Sequence, residues 1–454
     1  MSRRFTGLEI ATATGGQLRT NAPAGPVVTD TRVISPGCWF LALRGERFDG
    51  HDFASQAIEK GAAGVIVESP ESVHPHAGCV VVPDTLRALQ DLALHVRQSY
   101  GGSVVGVTGS SGKTTTRALV ASAMRGTHDV HATDGNWNNH IGLPLTLLSS
   151  TGEEDVWVIE MGTSSPGEIA TLAAISLPTV RVIVNVGHAH LEDLGGLAGV
   201  AREKGALFAS ARPGDVLCVN IDDAYVRDIP VPVGVEIVTW GRSPGAQFRL
   251  LSVDLAAESF TMRARYETPQ GVVDAQFPVA GAHVALDGAA ALAVACRLGV
   301  GAKAAAAGFA SYAPVGMRLR VQPLRNGVRV INDAYNANPQ SMIAALDLLE
   351  LMDGQRIAVI GDMLELGERE HDLHREVLEH ALGTAVDWIV AIGPRMAEAA
   401  KTFHAQRLRT FDAPAAAIPW LATQAQAGGT WLLKGSRGVK VEAILEGFET
   451  EGER

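Results

Sequence analysis

Short runs of apolar, often β-branched residues recur along the chain and alternate with longer segments whose polar residues have helical spacing. In the first hundred residues, this pattern predicts strands at 38–43, 64–67 and 79–82 and helices at 52–60 and 85–100. Gly101-Gly102 then interrupts the pattern directly before the next apolar run. Because adjacent glycines break regular structure, we expect a domain boundary at this point.

The middle of the chain alternates apolar runs with helical segments. The runs at 156–159, 180–186 and 216–220 predict a mostly parallel sheet covered by helices on both faces. Between 236 and 280 single polar and apolar residues alternate, which predicts a small antiparallel insertion or an edge of the same domain. The alanine-rich segment 285–299 is short and contains charged residues, so it is predicted to be a buried helix rather than a membrane span.

A second hinge is predicted at Pro314-Val315-Gly316. Strands are predicted after it at 328–332, 356–361, 388–393 and 430–435, separated by helices. This is the pattern of a third α/β unit. The chain is therefore predicted to fold as three units, 1–100, 101–313 and 314–454, which agrees with a length of 454 residues.

Composition narrows the class of protein. The chain is 46% apolar and 19% charged, as expected for a globular protein with substantial cores. A net charge of −11 argues against nucleic acid as a general partner, because a phosphate backbone requires a basic surface. The four cysteines are far apart and are predicted to be buried in a reducing compartment. With no apolar signal segment and no long apolar run, the sequence predicts a cytoplasmic protein without a membrane span.

The apolar run 104–107 leads into a segment typical of phosphate-binding loops: Gly109, Ser110, Ser111, Gly112, Lys113, Thr114 and Thr115. Glycines let successive backbone N–H groups face an anion at the start of a helix. Lys113 could reach the outer phosphates of a nucleotide, and the Thr114 hydroxyl could bind Mg²⁺. The strict motif has glycine where Val107 stands, so the spacing departs from the usual one. We nevertheless predict that this loop binds nucleotide phosphates.

Several further polar residues follow predicted strands. Glu160 ends an apolar strand, where a Mg²⁺ ligand of a parallel sheet belongs, although a solvated carboxylate would occupy the same position. His188 and His190 follow the next strand, and the pattern leaves open which of them contacts a ligand. The polar loops 332–339, 361–367 and 434–437 of the third unit suggest a binding rim, or turns without a ligand. By spacing alone Lys204 is an ordinary helix lysine, and His371, His374 and His380 are predicted on a solvated helix face.

Together these segments resemble the Mur ligase family of ATP-dependent amide-forming enzymes in peptidoglycan precursor synthesis, nearly end to end. The segment 108–115 resembles the ATP loop of that family, which has this glycine spacing. The resemblance implies three domains: a UDP-binding N-terminal domain, a central P-loop-type domain with a parallel sheet, and a Rossmann-like C-terminal domain. It also implies ATP and Mg²⁺ as cofactors.

Within the family, the segments 138–144, 160–169, 333–339, 361–367 and 434–437 resemble the member that adds D-alanyl-D-alanine to UDP-N-acetylmuramoyl-tripeptide. The related ligase for the third, diamino-acid residue carries an Asp-Asn-Pro-Arg motif, and this tetrapeptide does not occur here. The alternatives are that related ligase, a P-loop kinase or GTPase, and a nucleotide-sensing protein without enzymatic activity. A monomer acting on small molecules is expected.

The resemblance also implies roles for individual residues. Lys204 aligns with the lysine that the family carbamylates, and His190 with a ligand of the same second metal; Thr114 and Glu160 would hold the first. His283, Arg318 and Asp333 are expected at the nucleotide, although Val284 and Asp287 replace asparagines of the base segment. Substrate contacts are expected from Thr31, Arg32, Asp49, His51, Asn138, Asn139, Asn336, Asn338, Lys434 and Arg437.

The implied reaction begins when the terminal carboxylate of the tripeptide attacks the γ-phosphate of ATP. The amine of the dipeptide then attacks the resulting acyl phosphate, which gives an amide and phosphate. Phosphoryl transfer depends mainly on positioning and charge neutralisation, and Lys113 with the loop N–H groups would supply both. The resemblance thus implies Lys113, His190 and Lys204 as the catalytic residues.

Overall fold

Three sheets follow one another along the chain. The computed structural model describes residues 3–45, 48–71, 73 and 75–449. Within this part, the sheets lie at 17–81, 103–277 and 320–434. They confirm an α/β protein with three successive sheet units, while the domain boundaries after residues 100 and 313 stay predictions.

The first sheet has five strands in the order β1-β5-β4-β3-β2. Its elements are α1 (Gly7–Thr14), β1 (Gln17–Thr20), β2 (Val27–Val28), β3 (Trp39–Leu41), α2 (Ala54–Glu59), β4 (Gly64–Val67), β5 (Gly78–Val81) and α3 (Thr85–Ser99). Only the pairing of β1 with β5 is antiparallel in this sheet. The ring of Tyr100 at the end of α3 stacks on Trp157 with 3.8 Å between ring centroids, which joins this unit to the next.

The central sheet has nine strands in the order β14-β13-β12-β11-β10-β9-β6-β8-β7. Its strands are β6 (Ser103–Thr108), β7 (Val130–Ala132), β8 (Val156–Glu160), β9 (Val180–Ile183), β10 (Val216–Asn220), β11 (Glu236–Gly241), β12 (Phe248–Ala256), β13 (Thr261–Thr268) and β14 (Gly271–Phe277). Strands β6 to β11 are parallel, and β12 to β14 form an antiparallel edge of the same sheet. The alternating pattern therefore marked an edge of the sheet.

Helices cover the central sheet and carry much of its core. They are α4 (Lys113–Met124), α5 (Gly142–Ser149), α6 (Glu168–Ser176), α7 (Leu191–Leu194), α8 (Leu197–Ala209), α9 (Ala224–Arg227), α10 (Ala282–Arg297) and α11 (Ala302–Gly308). The alanine-rich α10 is buried along most of its length, which confirms the predicted buried helix. No helix in the described ranges is both long and apolar enough to cross a membrane.

The third sheet has six strands in the order β15-β16-β20-β17-β18-β19. Its elements are β15 (Arg320–Pro323), β16 (Arg329–Asn332), α12 (Pro339–Glu350), β17 (Arg356–Gly361), α13 (Glu370–Gly383), β18 (Trp388–Ile392), α14 (Pro394–Ala400), β19 (Leu408–Phe411), α15 (Pro414–Gln424) and β20 (Thr430–Lys434). All pairings are parallel except that of β15 with β16. The four strands predicted from the sequence are β16, β17, β18 and β20.

Candidate active site

The predicted phosphate-binding segment, residues 109–115, connects β6 to the first turn of α4, as the sequence predicted. We call this segment the phosphate loop. Gly112 has φ +77° immediately before the helix, a conformation that favours glycine. The amide of Ser111 donates to Asn185 Oδ1 at 2.9 Å, and the hydroxyl of Ser110 accepts from Gly187 N at 2.8 Å. Lys113 Nζ donates to the carbonyl of Gly109 at 2.8 Å, so the lysine folds back over its own loop. The segment after β9 therefore holds the loop in its curled form.

Glu160, at the end of β8, lies directly beside this loop. Its Oε1 accepts from Thr114 Oγ1 at 3.1 Å and from Asn138 Nδ2 at 2.8 Å. Its Oε2 lies 3.7 Å from Arg117 Nε, and this buried oxygen has no hydrogen-bond partner. Burial lowers the pKa of Lys113, and the charge of Glu160 opposes that shift. A buried carboxylate with one oxygen unused is a strong acceptor for a cation.

The Glu160 carboxylate and the Thr114 hydroxyl are of the kind that would hold Mg²⁺ together with a bound phosphate, where the metal would neutralise phosphate charge. Mg²⁺ is commonly held by one or two carboxylates together with substrate phosphates and water. Within the described part of the chain, no group of three or more histidine, cysteine, aspartate or glutamate side chains forms a metal cluster. The unpartnered Oε2 of Glu160 is therefore the observation that supports a metal here.

Lys204 lies on α8 and His190 immediately before α7; His190 lines the cavity described below, and Lys204 does not. Lys204, on α8, is only 2% exposed, so it is not the ordinary helix lysine that spacing alone indicated and that the family resemblance had already set aside. Burial, together with the charge of Lys113, lowers the pKa of Lys204 well below its usual value. His190 precedes α7 with φ +54°, and its Nδ1 lies 2.6 Å from Glu365 Oε2 in the third unit.

The third unit supplies the opposite wall. Lys434 Nζ lies 2.6 Å from Asp333 Oδ2 and donates to the carbonyl of Asn336 at 3.2 Å. The guanidinium of Arg318 lies 3.7 Å from the ring centroid of Tyr335, a cation–π contact. Asp333 and Asn336 lie in the loop after β16, Arg318 lies before β15, and Lys434 ends β20. Polar residues predicted in three separate segments therefore converge at one edge of the third sheet.

Asn338 has a structural role at this wall. Its side chain caps α12 by accepting from Ser341 N at 2.9 Å. Its side-chain oxygen is therefore already engaged by the helix. His283 lies in the same region, and burial lowers its pKa while the charge of Asp333 opposes that shift.

A cavity of about 660 Å³ lies between the central and third units. It brings together most of the residues predicted from the sequence: Ser110, Ser111, Gly112, Lys113, Thr114, Thr115, Asn138, Asn139, Glu160, His190, His283, Arg318, Asp333, Asn336, Asn338 and Lys434. Residues that the sequence did not single out also line it, among them Asn185, Asn220, Tyr312, Tyr335 and Gln340. Asn185 follows the apolar residues of a predicted strand, which was the signal available for it.

The remaining predicted residues lie outside that lining. Arg32 pairs with Asp30 at 2.5 Å, beside Thr31, in the first unit. Asp49 caps a short 3-10 helix and lies 2.5 Å from His51 Nδ1, while His51 Nε2 accepts from Glu68 N at 3.0 Å. In this structure Asp49 and His51 therefore organise their own loop.

The last of the residues considered in the sequence lie near the chain end and on α13. Arg437 pairs with Glu442 near the chain end. His374 was predicted on a solvated face and is instead fully buried; its Nε2 accepts from Met363 N at 2.9 Å. Helix α13 packs that face against α14 and α12, so charged neighbours in the sequence did not reveal burial. His371 and His380 are not buried, as expected.

Three family models match successive parts of the chain. They are described as "Mur ligase family, catalytic domain" at residues 26–97, "Mur ligase middle domain" at 107–295 and "Mur ligase, glutamate ligase domain" at 317–437. The chain belongs to the Mur ligase family. In this Mur ligase the three matched segments contain, in turn, the strands of the three sheets, apart from the outer strand β1 and the first residues of β6.

Individual relatives match nearly the whole length. The UDP-N-acetylmuramoyl-tripeptide–D-alanyl-D-alanine ligase of Bacillus subtilis is 36% identical, with 92% of each chain covered. The ligase of the same name from Escherichia coli is 35% identical, with 94% of each covered. The crystal structure of MurF from Acinetobacter baumannii has a TM-score of 0.90 at 31% identity and covers 98% of each chain. MurF of Thermotoga maritima, solved in complex with ADP, has a TM-score of 0.83 at 30% identity, with 93% of this chain and 96% of that chain covered.

Proposed function

We propose that this Mur ligase joins D-alanyl-D-alanine to UDP-N-acetylmuramoyl-tripeptide and converts ATP to ADP and phosphate. The cavity between the phosphate loop and the Asp333–Lys434 wall carries the proposal, because it combines a nucleotide-phosphate site with a second polar wall. The names of the full-length relatives support the same substrates. The ADP in the Thermotoga maritima structure supports the nucleotide.

In the first step, the tripeptide carboxylate attacks the γ-phosphorus of ATP, and the bond to the β,γ-bridging oxygen breaks to release ADP. Two anions must approach each other, so positive charge has to be placed before the reaction. Lys113 supplies that charge at the loop, and the backbone N–H groups of 112–115 at the start of α4 would face the phosphate oxygens, since those of Ser110 and Ser111 are used by Asn185. Contacts of Ser110 with Gly187 and of Ser111 with Asn185 keep the loop in place.

We propose that Thr114 and Glu160 hold one Mg²⁺, and that His190 and the carbamate of Lys204 hold or orient a second. The metal, when bound, neutralises charge that develops on the transferred phosphoryl group. The Oε2 of Glu160, which is buried and accepts no hydrogen bond, supports the first assignment. The lowered pKa of Lys204 supports the second, because burial favours the neutral amine that reacts with carbon dioxide. The neutral amine and carbon dioxide form an N–C bond and release one proton, so the side chain becomes an anion where its protonated amine would repel the metal.

In the second step, the amine of D-alanyl-D-alanine attacks the acyl carbon, the amine loses a proton, and the tetrahedral intermediate collapses with phosphate as the leaving group. Asn336 and Lys434 on the third-unit wall, with Asn138 and Asn139 opposite them, are our candidates for contacts with the tripeptide and the dipeptide. We further propose that His283, Arg318 and Asp333 contact the nucleotide. The first unit, with Thr31, Arg32, Asp49 and His51, is our candidate for the UDP-sugar.

The decisive experiment measures ADP formation from ATP and UDP-N-acetylmuramoyl-tripeptide with and without D-alanyl-D-alanine. We expect sustained turnover only with the dipeptide, because the acyl phosphate accumulates without an acceptor amine. A parallel reaction combines the UDP-dipeptide precursor with a diamino acid, which is the substrate pair of the related third-residue ligase. Phosphate release that is indifferent to D-alanyl-D-alanine, or turnover only in the parallel reaction, contradicts the proposal.

The carbamate is tested by Lys204→Ala. We expect the variant to lose activity by about 100-fold or more, the size of effect seen when one electrostatic group is removed from such sites. Added acetate or propionate should restore part of the activity, because a small carboxylate can occupy the vacated position. Lys303→Ala, at an exposed position on α11, is the matched control and should behave as wild type. Full activity of Lys204→Ala without any added acid would refute the role.

We also propose a monomer that works in the cytoplasm. Light scattering coupled to gel filtration should give a mass near 47.7 kDa. A mass of twice that value at working concentration contradicts the monomer.

A further inference from the structure

A contact between two loops joins the central unit to the third unit beside the cavity. It consists of His190, Leu191 and Glu192 on one side and Glu365 and Gly367 on the other, and we call it the docking contact. The amide of Leu191 donates to the carbonyl of Glu365 at 3.1 Å. His190 Nδ1 lies 2.6 Å from Glu365 Oε2. Gly367 lies so close to Glu192 that a Cβ added there would be 3.4 Å from the Cα of Glu192.

The backbone is unusual on both sides of the docking contact. His190 has φ +54° and Glu365 has φ +65°, a left-handed conformation that residues with a side chain rarely adopt. Both residues adopt it at the point where they meet. Such conformations persist where the surrounding structure holds them, and they are concentrated at functional sites. Two strained residues facing each other indicate a contact that is specified by the fold.

The chemistry of the pair suggests what the contact does. A metal-binding histidine usually has its other ring nitrogen against a carboxylate, which fixes the ring orientation and keeps the proton off the ligating nitrogen. Glu365 is placed to do this for His190, because its carboxylate faces Nδ1 and leaves Nε2 as the remaining nitrogen. The contact is close by distance but leaves Nδ1 without a well-directed hydrogen bond.

We propose that Glu365 is a positioning residue that orients His190 as a metal ligand, so that the second metal site is complete only when the third unit is docked. This inference rests on the proposed function, which makes His190 a ligand. The residue that orients the ligand belongs to the other unit, so docking and metal binding reinforce each other. A second close approach joins the same units, because a Cβ added to Gly187 would lie 1.9 Å from Gln340 Oε1.

The competing explanation is an ordinary surface ion pair. The side chain of Glu365 is 52% exposed and that of His190 is 24% exposed, and exposed pairs usually contribute little to stability. A surface pair would change neither metal affinity nor the protonation of a particular ring nitrogen. Those two properties therefore separate the explanations, whereas loss of activity alone would not.

The first experiment measures Mn²⁺ binding by electron paramagnetic resonance in the presence of a non-hydrolysable ATP analogue. We expect two sites in the wild type, and in Glu365→Ala a second site weakened about 10- to 100-fold, the usual cost of removing such a partner. Glu365→Gln keeps an acceptor but not the charge, so it should lie between the two. Glu368→Ala, three residues further along the same loop and exposed, is the matched control and should bind as wild type.

The second experiment reads the ring of His190 without any metal, by long-range ¹H–¹⁵N correlation in histidine-labelled protein. The wild type and Glu368→Ala should carry the neutral-ring proton of His190 on Nδ1, and Glu365→Ala should lose that preference. A single Mn²⁺ site in the wild type, or unchanged Mn²⁺ affinity and an unchanged proton position in Glu365→Ala, overturns the inference. These outcomes do not depend on the acceptor amine, so they are distinct from a failure of the dipeptide assay.

Discussion

At the scale of single residues, Asp287 is a buried acidic side chain beside the phosphate loop. It lines the nucleotide cavity on α10, and a Cβ added to Gly112 would lie 2.9 Å from one of its carboxylate oxygens. An ionised carboxylate so close to the phosphate loop would repel the nucleotide. Burial raises the pKa of Asp287 well above its usual value and so favours the neutral acid over the carboxylate. A neutral carboxyl has a donor and an acceptor, as does the asparagine amide of the family motif that it replaces.

The raised pKa predicts how stability depends on pH. In the unfolded chain Asp287 loses its proton at about pH 3.9, whereas in the fold it retains it to higher pH. Its contribution to stability is therefore complete below about pH 3.9 and is lost as the pH rises through the folded pKa, by about 1.4 kcal/mol per pH unit. Asp287→Asn should lack this dependence, so its calorimetric melting temperature should gain on that of the wild type as the pH rises.

Two neighbours bear on the interpretation of that measurement. Burial is the largest cause of the raised pKa of Tyr266 and of Tyr312, and Asp287 raises both further only in its ionised form. The calorimetry covers about pH 4.5 to about pH 8. Both phenols stay protonated in this range, so their ionisation does not contribute to the change in melting temperature. Asp353→Asn, at an exposed position, serves as the control and should follow the wild type at every pH. Parallel curves for Asp287→Asn and wild type would contradict a buried neutral acid.

At the scale of elements, α3 joins the first unit to the central one through Arg97. Its guanidinium donates to the carbonyls of Ser176 and Leu177 at the end of α6, at 2.8 and 2.9 Å, and to Tyr100 O at 2.9 Å. A cation at the carboxyl end of a helix is favourable, because the last carbonyls have no partners within the helix. Arg97 is also buried, with only 8% of it exposed.

Arg97→Ala should therefore weaken the junction of α3 with α6 strongly. We expect the free energy of opening of both helices, measured by native-state hydrogen exchange, to fall by about 3 kcal/mol, because buried carbonyls lose charged donors. Arg87→Ala on the same helix removes only an exposed pair with Asp91 at 2.9 Å. That control should cost less than about 1 kcal/mol. Equal effects of the two substitutions would show that the buried contacts contribute no more than surface ones.

Element prediction from the sequence succeeded where the pattern was local. The strands at Gly64–Val67, Val216–Asn220 and Arg356–Gly361 were predicted with the bounds that the structure shows. A short apolar run between turn residues is sufficient for such a strand. The helix predicted at 52–60 begins instead as a 3-10 turn, because Asp49 caps His51 and not a full α-helical turn. Its start depended on a loop contact that periodicity does not encode.

At the scale of the whole molecule, the nucleotide is expected to connect two units. The phosphate loop belongs to the central sheet, whereas Arg318, Asp333 and Lys434 belong to the third. A ligand that binds residues of both units stabilises their docked arrangement by its binding free energy. This agrees with a cycle in which the third unit closes over ATP and excludes water from the acyl phosphate.

Hydrogen exchange with and without ADP tests that connection. We expect ADP to slow amide exchange at 109–116 and also at 330–336, since both segments contribute to the cavity lining. The strands of the first sheet, β1 to β5, contribute nothing to its lining and serve as the internal control. Protection confined to 109–116 would mean that the nucleotide binds the central unit alone.

The chain by itself determined the features that depend on near neighbours. The phosphate loop, the strand-end Glu160 and the polar loop before α12 are written in consecutive residues, and parallel strands bring their ends to one edge. The family resemblance then supplied the chemistry that spacing left open, including the departure of the loop from the strict motif. The local motifs and the resemblance could both be recognised without knowing which residues far apart in the sequence meet in the fold.

Only the tertiary structure decided which distant residues meet. Lys434 and Asp333 are 101 residues apart in sequence, and His190 and Glu365 belong to different units. The sequence around Lys204 has the same spacing as that around an exposed helix lysine. Only the packing of α8 over the sheet buries Lys204 and lowers its pKa. Periodicity reports which face of an element is apolar, but burial of a charge depends on what covers that face. The phosphate loop was therefore readable from the sequence, while the environment of its charged partners was not.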